Sequence, residues 1–396
     1  MKILIIHNFH RSGSASGDDL VFTQEADLLE AHGHTVIRYS VINDSFDRAS
    51  PLRKLILAGG MLWSFRHYRA IRRICRNEKP DIVHVHTFFP LLSPSVLYAA
   101  KRAGCPVAAT LHDTRLVCPC ATSLYRGTVC NLCGDGHYLR MVKRGCFKGS
   151  RIQSLYIAVL FRFHRIRRSF FEQIDRCICL NSEQIALLES IGFDPARMVK
   201  KYNFVPEPPE ERSDDPRLPS RYVVYYGRIG EEKGIRPLME IWDKLPDIPL
   251  VVMGDGPLAE EFLAWKETKP HVLYLGYTEH KECLRIVRGA EFIVFPPIWY
   301  EGCSLVQLEA KSLGKPILTF DIGFSSESVE EGKTGYKIAK GDLNGFAEKI
   351  TGLWNDPELC REMGRHSRLD YERRFAPEDN LRQLLAVYRE LLKKEM

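Results

Sequence analysis

Short apolar runs alternate along the first half of the chain with longer stretches whose apolar residues repeat every three or four positions. The apolar runs are rich in β-branched residues and bounded by polar residues, which is typical of buried strands. They read KILIIHN (2–8), TVIRYS (35–40), DIVHVH (81–86), VAATLHD (107–113) and RCICLN (176–181). The stretches between them, such as DLVFTQEADLLEAHGH (19–34), have helical period. This alternation predicts a parallel sheet with helices on both faces.

A second series of the same kind follows residue 220. Its strand-like runs read YVVYYGR (222–228), PLVVMGDG (249–256), VLYLGY (272–277), EFIVFPP (291–297) and PILTFD (316–321). A length of 396 residues also favours two domains over one. We therefore expect an α/β protein with two doubly wound, Rossmann-like parallel-sheet domains that face a cleft. The predicted ranges are 1–203, a proline-rich linker over 204–220, 221–375, and a final helix over 376–396 that crosses back to the first domain.

Composition places the chain among ordinary folded proteins, with 45% hydrophobic and 27% charged residues. Residues 1–200 carry 28 Lys and Arg against 16 Asp and Glu, whereas residues 201–396 carry 28 against 34. A basic half attracts nucleic acid, anionic membranes or acidic substrates, and charge alone does not choose among them. The opening MKILIIHNF is too short for a signal peptide, and no run is long enough to cross a membrane. The expected location is the cytoplasm, where the 12 cysteines are thiols or metal ligands rather than disulfides.

The turn GRIGEEKG (227–234), after the first strand of the second series, has the residues of a diphosphate site. In open α/β sheets ligands bind beyond the carboxyl ends of the strands. Gly227 frees the backbone there, Arg228 offers a planar fork for phosphate oxygens, and Lys233 adds a mobile charge. The turn lacks both the GxGxxG order and the GK[ST] ending, so it predicts neither a dinucleotide site nor a P-loop. The alternative is an ordinary turn with solvated charges.

A second candidate lies in WYEGCSLVQLEA (299–310), where Glu301 and Glu309 flank a predicted helix start near Gly302 or Cys303. Gly302, Leu305 and Glu309 would then share one helix face. Carboxylates accept hydrogen bonds from sugar hydroxyls, and the N–H groups of a helix start donate to phosphate. The alternative makes Glu301 a helix-dipole partner and Glu309 a surface residue.

The order of these motifs resembles that of the retaining glycosyltransferases of family 4, which have the GT-B fold. G-R-x4-K-G, VVMGDGPL and E-x7-E follow successive strands of the second domain. GSASGDDLVFTQEADLLEAHGHTV (13–36), PDIVHVHTFFPLLSPSVLYAAKRAGCPVAATLHD (80–113) and FAPEDNLRQLLAVYREL (375–391) resemble further segments of that family. The resemblance covers nearly the whole chain. It implies transfer of a sugar from a nucleotide-diphosphate sugar (UDP- or GDP-linked) to a glycan acceptor in cell-surface polysaccharide synthesis.

The resemblance also implies roles for single residues. Arg228 and Lys233 match the residues that grip the donor diphosphate, Glu301 the acid that faces the donor sugar, and Glu309 the acid that binds the ribose. In the first domain, His112 matches the histidine that approaches the transferred sugar. The remaining donor-binding positions are Gly17 near the β-phosphate, Gly227 in the diphosphate turn, Gly276 and Tyr277 at the nucleobase, and Gly302, Cys303, Ser304 and Leu305 at the helix start.

Family members work by front-face displacement with retained configuration, which implies neither a covalent nucleophile nor a catalytic cofactor. The two carboxylates therefore do not indicate a hydrolase pair. Cys303 and Ser304 depart from the family's commonest pattern of an aromatic followed by a small residue or proline, so the sugar is not implied.

Five cysteines cluster within RLVCPCATSLYRGTVCNLCGDGHYLRMVKRGC (115–146), part of a predicted insertion over about 115–150. The C-x2-C spacing of Cys130 and Cys133 lets two thiolates reach one tetrahedral ion. Cys118 and Cys146 would complete a structural zinc site, although Cys120 leaves the ligand set ambiguous. The alternative is a group of small apolar residues.

Two basic stretches, 51–76 and 151–171, combine arginines with aliphatic and aromatic residues. Such helices lie on anionic bilayers, which would place the protein peripherally on the inner face of the cell membrane beside a lipid-linked acceptor. The alternative is packed helices with a solvated basic face. Nucleic acid is not expected because no binding motif accompanies the charge. Two other functions stay open: a nucleotide-sugar epimerase of the same fold, and a zinc-stapled binding protein without catalysis.

Overall fold

The computed structural model describes residues 1–10, 16–44 and 50–393, without the side chains of residues 51–56. The chain divides into two compact units. The first comprises Met1–Ser123, Asn131–Asn203 and Asn380–Met396, and the second comprises Leu124–Cys130 and Phe204–Asp379.

The first unit is built on a six-stranded parallel sheet. The strands in this half of the chain are β1 (Lys2–Phe9), β2 (Thr35–Ile42), β3 (Ile82–Val85), β4 (Val107–Leu111), β5 (Leu124–Tyr125), β6 (Thr128–Val129), β7 (Arg176–Cys179) and β8 (Met198–Lys200). The sheet order is β2-β1-β3-β4-β7-β8, and β5 and β6 form a separate antiparallel hairpin. Strands β3 and β4 are buried on both faces, which accounts for their continuous apolar runs.

Helices connect these strands. They are α1 (Gly17–Ala31), α2 (Pro51–Leu62), α3 (Phe65–Glu78), α4 (Ser95–Lys101), α5 (Leu139–Arg144), α6 (Arg151–Ile166), α7 (Ser169–Gln173) and α8 (Ser182–Ser190). Ser16 caps α1 and pairs with Asp19 in a reciprocal capping box. Ser150 and Asn181 cap α6 and α8 through their side-chain oxygens. These residues satisfy N–H groups that a helix start leaves without a partner.

The second unit is built on another six-stranded parallel sheet. Its strands are β9 (Val223–Tyr226), β10 (Leu250–Met253), β11 (Val272–Gly276), β12 (Ile293–Phe295), β13 (Ile317–Phe320) and β14 (Gly335–Ile338), in the order β11-β10-β9-β12-β13-β14. The chain runs outward in one direction from β9 and in the other from β12. The carboxyl ends of β9 and β12 therefore mark the switch point where open sheets bind ligands.

The helices that follow β9 are α9 (Ile235–Trp242), α10 (Ala259–Lys266), α11 (His280–Gly289), α12 (Leu305–Ser312), α13 (Phe324–Ser328), α14 (Leu343–Asn355), α15 (Pro357–Arg374) and α16 (Pro377–Lys393). Trp242, Phe262, Phe292 and Phe346 are completely buried in the core of the second unit. A buried aromatic side chain of the size of Phe stabilises the fold by about 1.5–3 kcal/mol. Each apolar run predicted from the sequence forms a strand, whereas β8, β14 and the short hairpin were not predicted.

Helix α16 belongs to the first unit over most of its length. Leu384, Tyr388 and Leu391 are buried in one cluster with Ile3 of β1 and Ile82 of β3. The Tyr388 hydroxyl lies 2.7 Å from His84 Nδ1, and Asn380 Nδ2 donates to the Tyr202 carbonyl at 2.7 Å. The predicted final helix is thus an integral part of the first unit.

The start of the predicted linker is packed onto the second unit. Tyr371 Oη donates to the Val205 carbonyl at 2.9 Å, and Arg368 holds both carboxylate oxygens of Glu207 at 2.9 and 3.0 Å. Most of the predicted insertion at 115–150, namely residues 115–123 and 131–150, groups with the first unit. Residues 124–130 group with the second unit, because Leu124 and Val129 pack against its core.

In the described part of the chain, no helix combines the length and apolarity that a membrane span requires.

Candidate active site

The turn after β9 brings Lys233 to the end of β12. A 3₁₀ turn, Glu231–Lys233, follows Gly230, and Gly234 then adopts a left-handed conformation with φ of 77°. A Cβ atom at Gly234 would lie 1.7 Å from the carbonyl oxygen of Pro296. Only glycine permits so close an approach of the two loops. Two segments far apart in sequence thereby meet at the switch point.

Glu301 is buried and paired with Lys233. Its side chain is only 7% exposed, and its Oε1 accepts hydrogen bonds from Lys233 Nζ and Trp299 Nε1, each at 2.5 Å. The Lys233 ammonium also lies 5.2 Å from the centre of the Trp299 ring. Glu301 is therefore not a solvated charge at a helix start. The two residues predicted for the donor sugar and the diphosphate contact each other directly.

Arg228 has a different environment from Lys233. Its side chain is 61% exposed, and its guanidinium lies 3.7 Å from Glu232 Oε1. An exposed ion pair of this length contributes little to stability, so it leaves the arginine free to reorient. Gly227, which precedes it, has φ of 135° at the carboxyl end of β9. The turn therefore presents one half-buried cation that is paired with a carboxylate and one exposed cation.

Glu309 is buried on α12, between the ends of β9 and α11. Its Oε1 lies 2.8 Å from His280 Nε2 and its Oε2 lies 3.1 Å from the Tyr226 hydroxyl. The hydrogen bond from His280 to Glu309 raises the pKa of this histidine. Burial, and then the charge of Glu309, raise the pKa of Tyr226. Two carboxylate oxygens offer about four lone-pair positions, so Glu309 keeps acceptor capacity for further hydroxyl groups.

The predicted helix start near Gly302 or Cys303 is wrong by two to three residues. Helix α12 begins at Leu305, with Ser304 as an N-cap whose side chain makes no capping bond. The Glu301 carbonyl accepts from Phe324 N–H at 3.2 Å, so this oxygen is turned toward the segment after β13 instead of toward Leu305. Gly302 consequently lies outside the helix and does not share a helix face with Glu309.

Gly276 and Tyr277 lie at the carboxyl end of β11. Gly276 has φ of 67°, and its carbonyl accepts from Gly254 N–H at 2.8 Å. The Tyr277 side chain is 79% exposed. This turn precedes His280, so the segment predicted to hold the nucleobase also positions a hydrogen-bond partner of Glu309.

The first unit holds the other predicted donor contacts. His112 follows β4 and is half-buried, and Gly17 opens α1 directly after its cap. His112 Nε2 lies 3.0 Å from His86 Nδ1 at the end of β3. Residues 13–15 of the predicted glycine-rich loop lie outside the described residues.

Among the residues that sequence reasoning missed are four whose side chains lie close to the predicted carboxylates and histidine: Trp299, His280, Tyr226 and His86. His280 and His86 each follow a strand end, which is a signal that the sequence contains. Trp299 lies within the quoted motif, and Tyr226 ends β9. Their roles depend on which side chain meets which carboxylate or imidazole, and this pairing is set by tertiary packing.

The predicted zinc ligands are divided between the two units. Cys118, Cys133 and Cys146 belong to the first unit, and Cys130 belongs to the second. Among the residues that the structure describes, two groups of metal-type donors have ligand atoms within 4.8 Å of one another: Glu25, His84 and His86, and His7, Asp18 and Asp19. Neither group contains a cysteine. The cysteine set stays a prediction.

Comparison with known proteins places both halves in one class of enzymes. Residues 20–207 match the family described as Glycosyltransferase Family 4, and residues 209–370 match Glycosyl transferases group 1. Glycogen synthase of Mycobacterium tuberculosis is 30% identical over 301 residues, which cover 74% of this chain and 64% of the relative. The capsular polysaccharide biosynthesis glycosyltransferase CapM of Staphylococcus aureus is 28% identical over 186 residues, covering 45% and 48%. The match thus spans less than two thirds of either relative.

A solved structure extends the likeness to the whole fold. HepE of Anabaena, in complex with UDP, superposes with a TM-score of 0.68 at 16% identity and covers 98% of this chain and 100% of its own. At that identity the likeness shows the fold alone. The predicted GT-B fold, with two Rossmann-like parallel sheets, is confirmed.

Proposed function

Because the chain belongs to the glycosyltransferases, with a family 4 first half and a group 1 second half, we propose that it transfers a sugar from a nucleotide-diphosphate sugar to a glycan acceptor and retains the anomeric configuration. The acceptor in this proposal is lipid-linked, and the product is a cell-surface polysaccharide. The similarity to CapM supports the polysaccharide, and the UDP complex of HepE supports a uridine donor.

One observation carries the proposal: two buried glutamates and one lysine lie at the carboxyl ends of β9 and β12. Buried carboxylates are costly to desolvate unless they are paired and hydrogen-bonded. Glu309 has the acceptor capacity to bind ribose hydroxyls, and Lys233 brings a positive charge to the same switch point. The arrangement suits a ligand that combines a sugar, a ribose and a diphosphate.

The chemistry follows from where charge develops. As the bond between the sugar and the β-phosphate breaks, negative charge builds on the leaving diphosphate. Lys233 and Arg228 stabilise this charge, assisted by the first N–H groups of α12. Glu301 accepts a hydrogen bond from the donor sugar and orients it. The acceptor hydroxyl attacks from the face that the diphosphate leaves and its proton passes to the departing phosphate oxygen, so the configuration is retained.

Purified protein with UDP- and GDP-sugars tests this function. Release of the nucleoside diphosphate together with glycosylation of a lipid-linked glycan supports it. Glu301→Ala and Arg228→Ala should each abolish transfer while the melting temperature stays near that of the parent. Isomerisation of the donor without an acceptor would identify an epimerase instead. Binding of nucleotide sugars without any turnover would identify a binding protein.

A basic and apolar face on α6 supports a membrane-bound acceptor. Ile152, Leu155, Val159 and Ile166 recur at three- to seven-residue spacing and are 47–82% exposed. Arg151, Arg162, Arg167 and Arg168 are exposed on or just after the same helix. Apolar side chains flanked by arginines fit the interface of an anionic bilayer. We propose that this face holds the enzyme beside its lipid-linked acceptor.

Sedimentation with vesicles tests the membrane proposal. The protein should bind vesicles that contain about a third phosphatidylglycerol and stay in solution with pure phosphatidylcholine. Replacing Ile152 and Val159 by serine together should reduce binding about tenfold or more, since each buried apolar side chain contributes about 1–2 kcal/mol. Leu369→Ser is the matched control, because Leu369 is 59% exposed on α15 of the second unit. Equal binding by all three proteins would refute the α6 face.

Structural zinc remains our proposal for the cysteine-rich segment. Four sulfur ligands would staple a region with little core of its own and would leave no open position for catalysis. Metal analysis of the purified protein should find about one zinc per chain. Cys133→Ser should remove it, and Cys120→Ser should not. Full zinc retention by Cys133→Ser would refute the predicted set.

A further inference from the structure

A buried polar network lies beneath His112 in the first unit. Glu25 of α1 is 1% exposed and Lys201, just after β8, is 2% exposed. Lys201 Nζ lies 3.1 Å from Glu25 Oε2 and donates to Asn380 Oδ1 at 2.9 Å. The lysine therefore neutralises the glutamate inside the unit. The nearby histidines need not carry a positive charge to balance it.

His84 and His86 contact the other oxygen of this carboxylate. Glu25 Oε1 lies 3.1 Å from His84 Nδ1 and 3.1 Å from His86 Nε2. Burial disfavours the charged form of Glu25, but the positive charge of Lys201 is the largest opposing cause, and the pKa of this carboxyl lies well below its usual value. Burial also keeps the pKa of His86 well below its usual value. His86 is therefore a neutral imidazole beside an ionised carboxylate at pH 7.

These charges fix where the protons lie. An ionised carboxylate only accepts hydrogen bonds, so the single proton of His86 is on Nε2, facing Glu25. His86 Nδ1 is then an acceptor. Since His112 Nε2 lies 3.0 Å from it, His112 must supply the proton of this hydrogen bond. The two ring centres are 5.2 Å apart with planes 18° apart, values that fit rings meeting edge to edge at these nitrogens.

The second ring nitrogen of His112, Nδ1, has a defined state as well. Burial lowers its pKa to about 4, so at pH 7 it is neutral and has one proton. That proton is on Nε2, which donates it to His86 Nδ1. The other nitrogen, Nδ1, therefore carries a lone pair.

We infer that Glu25 and His86 are positioning residues that fix the tautomer of His112, so that it presents Nδ1 as a hydrogen-bond acceptor. An ionised phosphate oxygen is also only an acceptor, so His112 cannot bind the diphosphate through Nδ1. Its partner is a group that donates, and the sugar hydroxyls of the donor substrate are groups of this kind. The identity of this partner rests on the proposed function and on the role that the family resemblance implies for His112, whereas the tautomer does not.

Histidine tautomers can be read directly by long-range proton–nitrogen NMR on the whole chain with ¹⁵N-labelled histidine. At pH 7.5, His112 and His86 should both show a protonated Nε2 and a bare Nδ1. His112→Gln and His86→Leu assign the two signals. A His112 with its proton on Nδ1, or with both nitrogens protonated, would overturn the inference. This experiment needs no substrate, so its result stands even if no nucleotide sugar is turned over.

Kinetics then separates positioning from simple structural support. In His86→Gln the amide can donate to Glu25 and accept from His112, so kcat should stay within about fivefold of the parent. The leucine of His86→Leu cannot accept a hydrogen bond from His112. The kcat should then fall on the order of 100-fold, as expected when an imidazole is no longer held in the correct tautomer, while the KM for the donor stays within about threefold. The tautomer signal of His112 should become mixed in this variant.

Thr110→Val is the matched control. It removes a buried hydroxyl 2.8 Å from His84 Nε2, in the same network but outside the path from Glu25 to His112. Its kcat should stay within about twofold of the parent, even where its melting temperature falls. Equal losses of kcat in His86→Gln and His86→Leu, or a loss in Thr110→Val as large as in His86→Leu, would show a merely structural role and refute the inference.

Discussion

Glu301→Gln should strengthen nucleoside diphosphate binding and at the same time lower sugar transfer. The Lys233 ammonium is 2.5 Å from Glu301 Oε1, and a diphosphate must draw this ammonium toward its own oxygens. Glutamine keeps the shape of the side chain and an oxygen for Trp299 Nε1, but it removes the charge that competes for the lysine. Transfer falls because the donor sugar loses a charged hydrogen-bond partner.

The size of the effect follows from the exposure of the pair. A hydrogen bond between charged groups contributes about 1.5–3 kcal/mol. The Lys233 side chain is 21% exposed, and solvent screening reduces this value to about 1–2 kcal/mol. Glu301→Gln should therefore lower the Kd for UDP by about 5- to 30-fold. Lys233→Met should raise the Kd by a similar factor, because the diphosphate loses a cation.

Isothermal titration calorimetry with UDP at fixed ionic strength measures both changes. Glu261→Gln is the control, since it also removes one negative charge from the second unit but pairs with Arg236 on the surface. Its Kd should stay within about twofold of the parent, because an exposed pair contributes little. If Glu301→Gln weakened UDP binding as much as Lys233→Met, the carboxylate would be holding the lysine in place for the phosphate, and our reasoning about competition would be wrong.

Three further predictions concern the scaffold. Gly234→Ala should lower the melting temperature of the second unit by about 6–12 °C, because the new Cβ atom would add about 3 kcal/mol of strain against the Pro296 carbonyl. Scanning calorimetry measures this shift. An unchanged melting temperature would contradict the close approach of the two loops. His280→Ala should raise the Kd for UDP about tenfold, because Glu309 loses the hydrogen bond that holds its carboxylate in place for the ribose. The Kd for 2′,3′-dideoxy-UDP, which lacks the ribose hydroxyls, should rise much less, and calorimetry with both nucleotides measures the difference. Burial lowers the pKa of His164 to about 4. As the pH falls from 7 to 5, this histidine therefore becomes protonated in the unfolded chain but stays neutral in the folded chain, and the free energy of unfolding falls by about 2 kcal/mol. Urea unfolding at both pH values should show a loss that includes this contribution besides those of His86 and His112, and His164→Gln should reduce the loss by about 2 kcal/mol.

The strands were predictable because their signal is local. Ile3 to Ile6 and Val223 to Tyr226 are continuous apolar runs, and each forms a buried strand. Strand β14 was missed because Gly335 opens it and only two of its four residues are buried. The β5–β6 hairpin has two residues per strand, too few for a periodic pattern. Its position with the second unit depends on contacts with distant residues, which no local pattern contains.

The candidate site was predictable in its residues but not in its pairing. Motif order placed Lys233, Glu301 and Glu309 at strand ends, and topology brings those ends together. The sequence gives no sign that Lys233 contacts Glu301, because a salt bridge across 68 residues depends on how two loops approach each other. The helix start at Leu305 was missed for the same reason, since the Glu301 carbonyl accepts a hydrogen bond from Phe324, the first residue of α13.

The packing of α16 has a consequence for how this protein is made in the cell. Leu384, Tyr388 and Leu391 complete the core that begins with Ile3, so the first unit lacks part of its interior until about residue 391 has left the ribosome. Domains usually form in the order of synthesis. Here the unit that is translated first must wait for the second to be translated. During that interval Ile3, Ile5 and Ile82 lack part of the apolar surface that buries them, and exposed apolar surface of this kind makes a nascent chain prone to aggregation.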